Sequence, residues 1–99
     1  MLIRNDRYYV YILVSKNRRV MYVGMTSNMQ KRLCQHRNNE IEGFSKKYRV
    51  HQLVYFEEYA HPQEAIAREK VIKGWTREKK NLLVKEKNPN FEDLSHSFI

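Results

Sequence analysis

Cysteine is nearly absent from this 99-residue chain, in which Cys34 stands alone. A single thiol excludes an intramolecular disulfide and any zinc site built on a cysteine cluster, and it suits a reducing, cytoplasmic setting. The four histidines, His36, His51, His61 and His96, lack the i, i+4 pairing of a helical metal site. No apolar run is long enough for a membrane span, so neither a secretory leader nor a membrane partner is expected. Three glycines and two prolines leave no low-complexity stretch, and the chain has no internal repeat. Acidic side chains are the other shortage: 11 Asp and Glu face 19 Lys and Arg, giving a formal net charge of +8. The cations are spread over Lys16-Arg18-Arg19, Lys31-Arg32-Arg37, Lys46-Lys47-Arg49 and Lys79-Lys80, so the excess belongs to the folded surface. A surface of that sign favours phosphate polymers, nucleic acid foremost. A single domain of this length buries one core but no deep cavity, which places any site in a groove.

Against these absences, tyrosine is plentiful, and its placement is informative. The segments Tyr8-Tyr9-Val10-Tyr11-Ile12-Leu13-Val14 and Val20-Met21-Tyr22-Val23-Gly24 flank the polar stretch Ser15 to Arg19. With Lys16 and Asn17 at the centre of a hairpin turn, Tyr9, Tyr11 and Leu13 lie opposite Gly24, Tyr22 and Val20. Val10, Ile12, Val14, Met21 and Val23 then form an apolar set on the other face. One face is core; the other carries two neighbouring phenols.

Further along, Ser27 and Gln30 have the spacing of a capping box ahead of a helix from about Asn28 to Asn39. Met29 and Leu33 face inward on it, and Arg32 and His36 stand one turn apart. Asn38 to Lys47 reads as a loop, and Leu53 to Phe56 as a strand covered on both sides and ended by Glu57-Glu58-Tyr59. Pro62 suits the first turn of a second helix through Lys73, with Ala65, Ile66, Glu69 and Ile72 close together. Gly74 stops it. Thr76 caps a third helix to about Lys87, anchored by Leu82 and Leu83. Phe91, Leu94 and Phe98 tuck the tail back. The order β-β-α-β-α-α predicts an α/β domain around a small three-stranded antiparallel sheet flanked by helices.

Phosphodiester hydrolysis needs an activated water, neutralisation of charge on the phosphoryl oxygens and help for the departing alkoxide. Glu69 is the candidate metal ligand and Arg32 the candidate guanidinium fork, while Tyr11, Tyr22 or His36 can accept or relay a proton. Each has a plainer use: a cross-strand aromatic pair for Tyr11 and Tyr22, a solvated helix position for Arg32 and a Glu69–Lys73 pair one turn apart. Likewise His36 can be a half-buried polar residue, Trp75 a core anchor, and Cys34 a small filler.

Together these residues resemble the GIY-YIG endonuclease superfamily. Tyr9-Val10-Tyr11 is similar to its first signature and Tyr22-Val23-Gly24 to its second. Arg32, His36, Glu69 and Asn81 match its helix residues, metal-binding glutamate and frequent asparagine. Arg68 to Trp75 is particularly similar to the small, stand-alone bacterial branch. The resemblance covers roughly Tyr8 to Asn90. It implies hydrolysis of nucleic acid, most readily DNA, with one divalent ion, Mg²⁺ or Mn²⁺, on Glu69 and a signature tyrosine as general base. A free phenol titrates near ~10, so nearby cations must favour its ionisation. Gly24, Thr26 and Asn28 at the strand-to-helix junction, Lys46 and Lys47 from the loop, and Asn81 are candidate phosphate contacts. Tyr9 replaces the first signature's glycine, and Met25 stands where some relatives carry a basic residue. Target choice then comes from branched or damaged structure or from a protein partner. The alternative is a non-catalytic nucleic-acid-binding module of the same fold.

Overall fold

The computed structural model describes residues 7–38 and 51–98. Within them, the order is β1 (Tyr8–Val14), β2 (Met21–Thr26), α1 (Met29–Arg37), β3 (Gln52–Tyr59), α2 (Pro62–Lys73), α3 (Arg77–Lys87) and a 3₁₀ turn at Ser95–Ser97. The sheet order is β2-β1-β3, and both pairings are antiparallel. This is the expected α/β arrangement. The loop expected over Asn38–Lys47, including Lys46 and Lys47, lies almost wholly outside the described residues.

As the central strand, β1 is covered on both faces: Val10 through Val14 have no exposed surface. Val10, Ile12, Val14 and Val23 pack with Val54, Tyr55, Ala65, Ile72 and Val84, the aliphatic core under α2 and α3. Tyr11 and Leu13 pack on the opposite face with Met29 and Leu33 of α1 and with Leu53. The tyrosine face is therefore a second core layer, with no open phenolic surface over Tyr11. Along β3 the register shifts between Ile12 and Leu13, which pair with Tyr55 and Leu53 and leave Val54 as an extra residue. Such a bulge lets two successive apolar residues serve the same layer. β3 also continues through Glu57 and Glu58 to Tyr59, beyond the end read from its acidic residues.

The hairpin register differs from the one expected. Tyr11 pairs with Gly24, Leu13 with Tyr22 and Tyr9 with Thr26. The connection is a four-residue loop, not a two-residue turn. Ser15 and Val20 close it: the Ser15 N–H donates to Val20 O (3.0 Å), and the Ser15 Oγ accepts from the Val20 N–H (3.1 Å). Asn17 Oδ1 accepts from the Arg19 N–H, and Arg18 sits at φ 62°, which only a loop tolerates well. The displacement is by two residues, so every side chain keeps its face.

Local chemistry also relocates some helix contacts. Asn28, not Ser27, caps α1, its Oδ1 accepting from the Lys31 N–H at 3.0 Å. The buried residues of α1 are Met29, Leu33 and His36, so Cys34 falls on the solvent side and fills nothing. On α2, Ala65 and Ile72 are buried while Ile66 is 43% exposed, about 100° round the helix from Ala65. On α3 the buried residue is Val84. Leu82 is 59% exposed and Leu83 only packs at the core's margin. Trp75 is likewise a marginal core contact, covered by the cations of Arg68 and Lys79. Gly74 and Thr76 cap as expected.

The tail returns as expected, with Phe91 in the aliphatic core and Leu94 and Phe98 against the tyrosine layer. Asn88 holds it there. Its buried amide donates to Val54 O and Glu92 O, both at 2.9 Å, and its Oδ1 accepts from the Glu92 N–H at 3.0 Å. Asn88→Ala should therefore lower stability by about 2 kcal/mol, because it strands buried backbone groups. Urea unfolding of the two proteins measures this, and equal midpoints would contradict it.

Candidate active site

The site begins with a buried hydroxyl. Tyr11 carries a polar group into a layer of Leu13, Met29 and Leu33, away from the surface. Its hydroxyl lies 3.2 Å from His36 Nε2 on α1, and it also hydrogen-bonds with Tyr22. The three rings form a compact triangle, with centroids 6.1 Å apart for Tyr11–Tyr22, 5.9 Å for Tyr11–His36 and 5.2 Å for Tyr22–His36. Tyr11 is wholly buried, His36 is 1% exposed, and Tyr22 is part-exposed.

Gly24 makes this triangle possible. It lies inside β2 directly across from Tyr11, not in a strand-to-helix turn. A Cβ on it would stand 2.5 Å from the Tyr11 hydroxyl oxygen, 2.6 Å from Tyr11 Cζ and 2.8 Å from Tyr22 Cε1. The second signature's glycine is thus the space into which the first signature's tyrosine is laid.

Charged residues border the triangle. Burial raises the Tyr11 phenol far above its ordinary value, Tyr22 adds to this, the Arg32 guanidinium opposes it, and the Glu69 carboxylate reinforces it. Arg32 from α1 and Glu69 from α2 therefore both act on the same phenol. α2 crosses β1 and β2 on the aliphatic face. The Glu69 side chain remains 22% exposed, with Lys73 Nζ 3.5 Å from its Oε1. Burial, with Arg32 and His51 as lesser causes, lowers His36 to about 4. His36 is consequently neutral at pH 7, and so is Tyr11: a hydrogen-bonded network without net charge.

The remaining candidates divide. Thr26 and Asn28 lie at the mouth of α1 in a polar cleft of about 420 Å³ that Lys31, Arg32 and Gln35 also line. Their side chains are already used locally: Thr26 Oγ1 accepts from the Asn28 N–H at 3.0 Å, and Asn28 caps the helix. Asn81 is half-buried on α3 and accepts from Arg77 Nε at 3.3 Å. Arg77 was not singled out by the sequence, yet its guanidinium also donates to the carbonyls of Arg18 and Arg19, tying the hairpin loop to α3. No periodicity or motif marks such an arginine. Also unforeseen is a cluster on the aliphatic face, where Arg68 grips Glu57 (Nε–Oε1 2.9 Å) and Tyr55 and Tyr59 donate to the same carboxylate. Burial alone would raise the Glu57 pKa, but these hydrogen bonds hold it below the usual value.

With the geometry in place, comparison with known proteins is decisive about ancestry. The family model of the GIY-YIG catalytic domain matches residues 7–81. The chain belongs to the GIY-YIG family. Its relatives include a UPF0213 protein of Staphylococcus saprophyticus, 36% identical over 81 residues that make up 82% of this chain and 98% of that one. A UPF0213 protein of Clostridium perfringens is 38% identical over 80 residues, 81% and 85% of the two chains. One from Haloquadratum walsbyi is 35% identical over 82 residues, 83% and 91%. The solution NMR structure of a UPF0213 protein from Bacillus halodurans superposes with a TM-score of 0.57 at 26% identity, covering 94% of this chain and 99% of that one. Membership places this chain among nuclease folds.

Two measurements probe the triangle. Gly24→Ala should cost about 1–3 kcal/mol, since the methyl group meets packed ring atoms, and should disturb the Tyr11–His36 contact seen by NMR. For His36, the folded pKa of about 4 lies below the ordinary 6.5. The unfolded chain therefore binds the extra proton between those values. That contribution to stability is complete above pH 6.5 and is lost as pH falls towards about 4. Thermal melts across this window should show a decline that His36→Gln removes; an undiminished slope in the variant would assign it elsewhere.

Proposed function

We propose that this GIY-YIG domain is a metal-dependent endonuclease that hydrolyses phosphodiester bonds in nucleic acid, DNA first among its substrates. The observation that carries this reading is a buried phenol bonded to a neutral histidine beside a cleft lined by Arg32, with the Arg32 and Glu69 charges acting on that phenol in opposite senses.

The donor set fits a hard divalent cation. Among the described residues, no three His, Cys, Asp or Glu side chains converge, so a closed, all-protein metal cage is not built there. Glu69 supplies one accessible carboxylate, which is the kind of ligation Mg²⁺ and Mn²⁺ accept when water and phosphate oxygens complete the shell. When bound, such an ion supplies Lewis acidity and an acidified water.

The chain's own groups do the rest. Arg32 lines the polar cleft and presents a fixed cation to the phosphoryl oxygens. Tyr22, the part-exposed phenol, meets the attacking water and takes its proton as it passes its own to Tyr11, whose hydroxyl proton goes to His36 Nε2. Tyr11 is buried and strongly disfavours ionisation, which suits it to orient Tyr22 and not to act as base itself. His36, neutral and behind both rings, accepts or returns a proton on Tyr11 at Nε2. The formal charge of +8 draws the polyanion to the surface.

A nicking assay on supercoiled plasmid and branched oligonucleotides, with Mg²⁺ or Mn²⁺, tests the reading. Cleavage is expected with metal and absent in EDTA. Glu69→Gln should reduce the rate at least about a hundredfold while nucleic-acid binding persists, and Tyr22→Phe should do the same. Binding without cleavage by the wild-type protein would instead establish a non-catalytic binding module.

A further inference from the structure

Tyr9 stands where the family's first signature has glycine, and the proposed chemistry makes no use of it. Its place in β1 puts it on the same face as Tyr11, two residues or roughly 7 Å along the strand. Across the ladder from it is Thr26, which lines the cleft containing Arg32. A second cleft, of about 370 Å³, is lined by Arg7, Tyr9, Gln30 and Phe98, and it shares Ser27 and Asn28 with the first. The two clefts therefore adjoin at the start of α1, and together they form a groove. It is cationic and polar at the Arg32 end and aromatic at the Tyr9 end.

The aromatic end is assembled to receive a flat group. Tyr9, Phe56 and Phe98 are all half-buried and meet edge to face: 6.3 Å and 66° for Tyr9–Phe56, 5.4 Å and 85° for Tyr9–Phe98, and 5.0 Å and 76° for Phe56–Phe98. Neither phenylalanine stacks parallel on the Tyr9 ring. A cationic cleft that adjoins a part-exposed ring matches the way a single strand presents phosphate and base, and ring stacking tolerates any base. A continuous duplex keeps its bases paired and stacked, out of reach of such a ring.

We propose that the Tyr9 end of the groove holds the base of an unpaired nucleotide next to the phosphate bound at Arg32, so the substrate class is nucleic acid with a single-stranded or branched element. This inference rests on the nucleic-acid reading above. It assigns the aromatic substitution in the first signature to substrate choice.

Fluorescence anisotropy in EDTA, where no cutting is expected, tests it with three labelled DNA probes: a single strand, a fork and a fully paired duplex. The wild-type chain is expected to favour the strand and the fork. Tyr9→Leu, which keeps an apolar contact to Phe56 and Phe98, should weaken both by about tenfold and leave the duplex within about twofold. Tyr9→Phe should retain wild-type binding, and melting curves confirm that each variant is folded. A 2-aminopurine at the unpaired position of the fork should lose emission on binding the wild-type protein. Equal losses on all three probes, no loss on any, or unchanged 2-aminopurine emission would overturn the subsite alone. Failure to bind any probe would remove the nucleic-acid reading as well. Tyr9-dependent binding by a chain that never nicks DNA would support the subsite and overturn only the nuclease reading.

Discussion

A phenolic hydroxyl buried in the middle of a three-stranded sheet is the constraint from which the rest of this site follows. Tyr11 has no exposed surface, and an unpaired hydroxyl there would cost several kcal/mol. The fold meets the demand with His36 Nε2 and Tyr22, and it makes room for the ring with a glycine directly opposite. Helix α1 must lie across this face to deliver His36, and Asn28 fixes where that helix begins. Arg32, one turn before His36, is then carried to the cleft without any further device. The position of the guanidinium is a by-product of satisfying the phenol.

The two faces of β1 divide the work. On the aliphatic side, Val10, Ile12 and Val14 hold α2 through Ala65 and Ile72, and that packing sets the orientation that brings Glu69 within electrostatic reach of Tyr11. Glu57, Arg68, Tyr55 and Tyr59 saturate one another on that same side and leave no uncompensated charge beside the core. The Tyr11–Tyr22–His36 triangle lies on the tyrosine face with α1 and Arg32, while Glu69 is carried by α2, which packs on the aliphatic side. Arg77 links the two by gripping the hairpin loop from α3, so the register that opposes Tyr11 to Gly24 is braced from outside the sheet.

Much of this was legible in the residues, because alternation along β1 and the i, i+4 spacing of Arg32 and His36 are purely local signals. Pro62, Gly74 and Thr76 mark helix ends by equally local chemistry. Legibility failed wherever a long-range contact decided the outcome. The hairpin register turned on the Ser15 and Asn17 side chains closing a four-residue loop, which no alternation pattern reveals. Leu82 reads as core by composition, but the inward stripe of α3 is set by Val84 and by the polar anchor Asn88, leaving Leu82 outside. Gly24 reads as a turn residue because glycine usually is one, yet here it answers a ring on the neighbouring strand. That the Glu69 charge acts on Tyr11 was implied only by family resemblance, since nothing in the spacing relates two elements that distant in sequence.

The protonation states give the site its logic on the nuclease reading. Burial drives Tyr11 up and His36 down, so both are neutral at pH 7 and neither repels an approaching phosphate or competes for it. A charged histidine behind the phenols would attract phosphate into the packed layer, away from Arg32. A phenolate at Tyr11 would pair with Arg32 and cancel its guanidinium fork at the cleft. Neutrality in the interior therefore leaves the cationic character where the substrate arrives, at Lys31 and Arg32 on the rim. The part-exposed Tyr22 is then the phenol whose surroundings change most when a charged ligand enters.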